Sequence, residues 1–99
     1  MIQEKVAYKE GEADGYVIPL GPVSLVLAVG KRGMVGCGAF DVLALDKFDY
    51  PAARVKPTRG SSITSLEDLL AGEIKDANLA AARLGVKAGM SGKEALDLL

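Results

Sequence analysis

A chain of 99 residues, 49% of them hydrophobic, suits one domain over residues 1–99 and excludes a second, and so small an interior does not accommodate all that apolar material, which predicts a homo-oligomer, a dimer first. Its net charge of −1, from 12 basic residues scattered among 13 acidic ones, excludes the broad positive field that attracts nucleic acid. With no histidine and one cysteine, the chain lacks Cys/His or Ser/His/Asp nucleophile activation, a Cys/His zinc site and an intramolecular disulfide.

The opening residues, MIQEKVAYKE, mix charged with apolar positions and hold no signal-peptide core. The longest apolar run, Val23 to Val29, is far shorter than the roughly 20 residues of a membrane span. A cytoplasmic protein with no membrane partner is expected. Ile2 to Lys9 reads as a half-exposed strand with Ile2, Val6 and Tyr8 on one parity. A turn near Glu10-Gly11 leads to a second strand through Tyr16, Val17 and Ile18, with Asp14-Gly15 as the alternative place for a turn or a bulge. Pro19 and Gly21-Pro22 end it. Val23 to Val29 is apolar on both parities, as in a central strand covered on both faces. Gly30 to Gly33 is a tight charged turn before Met34 to Cys37, which completes a four-stranded meander.

Asp41 caps a short helix over Val42 to Phe48, with Val42, Leu43, Leu45 and Phe48 at helical spacing, and Tyr50-Pro51 ends it. Ala52 to Lys56 suits another short strand and Pro57 to Ser62 a loop. The next helix starts at Ser65 or Thr64, through Ser65-x-x-Asp68 or Thr64-x-x-Glu67, and Gly72 closes it. Glu73 to Ala77 reads as an edge strand or as the start of one continuous helix. Asn78 caps Leu79 to Leu84, which Gly85 ends. Ser91-Gly92-Lys93-Glu94 is a capping box, with Met90 and Ala95 spaced as a hydrophobic staple. Strands first and helices after, on short connections, predict an α+β two-layer sandwich. Its sheet is mostly antiparallel, of four to six strands beginning with the N-terminal meander, and three or four short helices pack on one face.

Two stretches, Gly33-Met34-Val35-Gly36-Cys37-Gly38-Ala39-Phe40-Asp41 and Ala81 to Leu96 (AARLGVKAGMSGKEAL), resemble the YunC-like family of small uncharacterised bacterial and archaeal proteins. The resemblance covers nearly the whole chain: a strand meander, a Cys-Gly turn, a short helix, a capped Leu-Leu helix and a Leu-Gly-x-x-x-Gly-Met-Ser/Thr-Gly-x-Glu-Ala-Leu ending. It implies a small two-layer α/β fold in free-standing proteins and brings no established reaction, cofactor or catalytic residue. The chain departs from the family pattern at Thr64, where a basic residue is expected before the helix cap, and in its Lys56 to Ser62 loop.

Cys37 lies between two glycines just before a helix start, where free N–H groups near Gly38 and Ala39 and the helix dipole favour a thiolate. Gly36 and Gly38 would let a ligand approach the backbone. Against this, Asp41 brings a negative charge to the same place, no histidine serves as base, and free cysteines are commonly buried, so a packed thiol is the stronger reading. A resolving cysteine is absent, Leu43 stands where a Cys-x5-Arg loop needs arginine, and Val35 and Ala39 are too large for a nucleophile elbow. The glycines around Lys93 form no phosphate loop, because Lys87 replaces a required glycine and Glu94 a Ser/Thr. Asp41, Asp46 and Asp49 spread around a short helix and make no metal set. Lys56 and Arg59 offer positive charge beside hydroxyls.

The expectation is therefore a binding or regulatory module for a small molecule, its site formed by Gly36, Cys37, Gly38 and Asp41 with charge from Lys56 and Arg59, and with no cofactor identified. The competing expectation is an enzyme using Cys37 as a catalytic thiolate nucleophile on a small electrophilic or acyl substrate. Its base would come from across a subunit interface or from solvent.

Overall fold

A computed structural model describes residues 1–9, 11–58, 60 and 62–99. Six strands, β1 (Ile2–Tyr8), β2 (Gly11–Pro19), β3 (Ser24–Val29), β4 (Met34–Cys37), β5 (Ala52–Lys56) and β6 (Glu73–Ala77), form one sheet in sequence order. All neighbours are antiparallel except β4 and β5, which run parallel. A parallel pair needs a crossover, and residues 38–51 supply it around α1 (Val42–Asp46). The other helices are α2 (Leu66–Ala71), α3 (Leu79–Arg83) and α4 (Gly92–Leu98).

Strand alternation divides the side chains between two faces. Val6, Ala13, Val26, Ala28, Val35, Ala53, Val55 and Ile74 point to one side, where Leu66 and Leu69 of α2, Ala81 of α3 and Ala95 and Leu96 of α4 complete the main core. Met34 and Ala52 have the opposite parity and pack with Val42 of α1 in a smaller cluster, flanked by half-buried Leu27, Val29, Leu45 and Tyr50. The sheet thus carries three helices against its main face and α1 on the other.

Strand β2 continues through Asp14-Gly15 without a turn. A Cβ on Gly15 would overlap Leu66 and Val6, so this glycine leaves room for α2 to settle on the sheet. The turn expected near Glu10-Gly11 lies partly outside the described residues, and Gly11 itself is the first residue of β2, paired with Tyr8. Helix α1 stops at Asp46, and Phe48, expected on its apolar stripe, is 80% exposed. After Asp46 the bonds tighten to i→i−3, from the Lys47, Phe48 and Asp49 N–H groups to Ala44, Leu45 and Asp46, so the helical register that would stack Phe48 with Leu45 is lost before the chain passes a left-handed Asp49 at φ 56°.

The caps follow the sequence reading: Asp41 accepts from the Ala44 N–H, Ser65 from Asp68 and Asn78 from Ala81, and Ser91 with Glu94 forms a complete capping box. The two edges of the sheet differ. Along β6, the Ile74 N–H donates to the Met90 carbonyl and the Ile74 carbonyl accepts from the Gly89 N–H, so the chain after α3 covers that edge. The strand β1 has β2 alone as a strand neighbour.

Candidate functional site

The parallel pairing of β4 with β5 ends both strands on the same rim of the sheet, at Cys37 and Lys56, beside the start of the antiparallel β3 at Ser24. At this rim lies a cavity of about 430 Å³. Its apolar walls are Pro22 and Val23 from the β2–β3 turn, Val55 and Pro57 from the end of β5, and Ile63 ahead of α2. Ser24, Ser62 and Thr64 add hydroxyls, Cys37 and Gly38 form part of the wall, and Lys56 and Lys75 bring positive charge. No carboxylate side chain is among the described lining residues.

Of the residues singled out from the sequence, Cys37, Gly38 and Lys56 meet at this cavity. Cys37 is only 6% exposed, pointing to the main face with Val35 and Val55, and it is a free thiol. Gly36 is placed elsewhere. It faces the opposite side of the sheet between Leu27 and Arg54, where a Cβ would overlap Phe40 and Met34, so its missing side chain makes room for Phe40. Asp41 lines a second hollow of about 250 Å³ together with Phe40, Leu43, Arg54 and Asp76. Arg59 lies outside the described residues.

Gly38 borders both hollows, and its carbonyl accepts a 3.3 Å hydrogen bond from Arg54 Nη1. Arg54 also grips Asp76 with two bonds, Nε to Oδ1 at 2.9 Å and Nη2 to Oδ2 at 2.5 Å. The hydrogen bond from Arg54 holds the Asp76 carboxyl below its ordinary value, against the opposing effect of partial burial, and Asp76 in turn raises Arg54. The loop between the two hollows is therefore tethered to the sheet by a fixed charge pair.

Lys75 was missed by the sequence reading, and strand geometry accounts for its position. In the β5–β6 ladder Val55 pairs with Ile74 and Arg54 with Asp76, so one step on β5 matches two on β6. Lys75 is the extra residue of a β-bulge, which re-aims a side chain and interrupts alternation. The bulge lets Ile74 enter the main core while Asp76 meets Arg54 on the opposite face. The available sequence signal is slight: strict alternation would ask one face to accept both Ile74 and Asp76. In the sequence Thr64 stands out as a possible helix cap and as a departure from the family pattern. Its N–H and hydroxyl both donate to Asp68 Oδ2, at 3.1 and 2.9 Å, which fixes the cavity wall ahead of α2.

Among the described residues no group of three or more His, Cys, Asp or Glu is placed to hold a metal ion. Among the same residues no helix is long and apolar enough to cross a membrane.

Residues 36–99 match the family model described as a domain of unknown function, DUF1805. The uncharacterized protein YunC of Bacillus subtilis is 29% identical over 79 residues, covering 80% of this chain and 77% of YunC. The crystal structure of a protein of unknown function, TA1206, from Thermoplasma acidophilum matches with a TM-score of 0.84 at 20% identity, covering 97% of this chain and 89% of that one. At that identity the likeness speaks for the fold alone.

Proposed function

The chain belongs to the DUF1805 family, a domain of unknown function, and from that premise we propose that it is a self-associating cytoplasmic protein that binds a small molecule between the ends of β3, β4 and β5. The observation that carries this reading is the cavity itself, whose volume of about 430 Å³ falls within the roughly 300–1,000 Å³ usual for small-molecule sites. Apolar walls with a few polar groups converging on them suit such a ligand, and the carboxyl ends of parallel strands are a recurrent place for one. A single free thiol fits a reducing compartment.

Cys37, the sole cysteine of the sequence, gives a built-in reporter. The neutral apolar dye N-phenyl-1-naphthylamine is expected to bind saturably, brighten, and slow the modification of Cys37 by a small thiol reagent in the same concentration range. Dye binding that leaves Cys37 labelling unchanged, or no saturable binding, would overturn the cavity as the ligand site.

A further inference from the structure

We infer that the ligand of this cavity is a small amphipathic monocarboxylate, whose apolar body lies between Val23, Val55 and Ile63 and whose carboxylate is held by Lys75. This rests on the cavity being a ligand site and adds the chemical class. Three observations carry it. First, the two lysines of the wall differ: Lys56 is paired with Glu73 at 3.3 Å, whereas among the described residues no carboxylate lies within ion-pair distance of Lys75. One ammonium is therefore left to meet an anion, and a single positive charge suits a monoanion better than a phosphate dianion. Second, Lys75 is the unpaired residue of a bulge in an otherwise regular ladder. Bulges are frequent beside functional sites because they redirect a side chain. Third, the remaining polar groups are hydroxyls: Thr64 is already committed to Asp68, while Ser24 and Ser62 can donate to the second carboxylate oxygen.

Competition for bound N-phenyl-1-naphthylamine by octanoate and by 1-octanol, which share a chain and differ in the head group, tests the inference. Octanoate is expected to displace the dye at a concentration about tenfold lower than octanol, the difference made by one charge-assisted hydrogen bond. Lys75→Met, which keeps the apolar stem, should abolish that preference without changing dye binding, and Lys75→Arg should restore most of it. The double variant Lys56→Met with Glu73→Gln, which removes that ion pair with no change of net charge, should leave the preference in place. Deleting Lys75 gives an independent check. Ile74 and Asp76 would then alternate without either changing face, so the variant should fold, bind the dye and lose the octanoate preference. Equal displacement by both competitors, or a preference that survives in Lys75→Met, would overturn the carboxylate while leaving the cavity intact. Loss of dye protection at Cys37 in the native protein would instead remove the cavity reading on which the inference rests.

Discussion

Asn78 does more than its place in the sequence announces. It is 1% exposed and the sole buried polar residue among those described, and its amide uses all four of its hydrogen-bonding positions. Oδ1 accepts from the N–H groups of Ala52 and Ala81 at 3.1 and 2.9 Å, and Nδ2 donates to the carbonyls of Val42 and Tyr50 at 2.9 and 2.8 Å. One side chain thus joins the starts of α1, β5 and α3. Asn78→Ala removes a helix cap worth about 1 kcal/mol and strands buried backbone groups at about 1–3 kcal/mol, so a total loss of about 2–4 kcal/mol is expected in urea unfolding. Asn78→Asp should fare no better, since both donors vanish and a carboxylate oxygen faces two carbonyls. A loss below about 1 kcal/mol for either variant would mean that the junction relaxes or hydrates. The cap was legible in the sequence because capping is local, a bond from residue 78 to residue 81. The other three bonds reach back 26, 28 and 36 residues, a separation at which spacing carries no information.

At the scale of elements, the strand Ala52–Lys56 appears with the bounds the sequence suggested, and Glu73–Ala77 takes the edge-strand alternative over the continuous helix. What composition does not encode is how closely neighbouring elements approach. Gly92 reads as an ordinary helix start, and propensity alone favours alanine there by about 1 kcal/mol. In the fold the residue is buried, its N–H donates to the Gly72 carbonyl at 2.9 Å, and a Cβ would collide with the Leu69 carbonyl of α2. The obstacle is backbone and cannot rotate away, so the overpacking cost of about 1–3 kcal/mol outweighs the gain. Gly92→Ala is expected to lose up to about 2 kcal/mol by thermal or denaturant unfolding. Gly38→Ala is the matched control: nothing stands within 4 Å of its added Cβ, and its stability should stay within about 0.5 kcal/mol of the parent. Two glycines that look alike in the sequence thereby separate, and a stabilised Gly92→Ala would contradict the contact between α2 and α4. The bulge at Lys75 belongs to the same class. It follows from fitting Ile74 and Asp76 to opposite faces, a demand set by β5 and the core rather than by residues nearby in the chain.

At the scale of the whole molecule, the composition that predicts self-association acquires a location. Three helices cover the main face of the sheet, whereas on the other face α1 packs around Met34 and Ala52 toward β4 and β5. Tyr16 and Ile18 on β2 and Leu27 on β3 remain half-buried there, with Tyr16 directly opposite Leu27. Beside it β1 leaves a strand edge open, having β2 alone as a strand neighbour. An apolar surface joined to an open edge is where a second copy is expected to add. The cavity is at the rim where β4 and β5 end, so disrupting that surface should leave it formed. Light scattering at micromolar concentration should therefore give the native protein a mass that is a multiple of 10.3 kDa. The double variant Ile18→Lys with Leu27→Glu should fall to 10.3 kDa while keeping dye protection of Cys37. A native mass of one chain would dispose of self-association, and an unchanged oligomer in the double variant would move it away from the β2–β3 face. A double variant that dissociates and also loses Cys37 protection would show that the binding site needs the neighbouring copy to form.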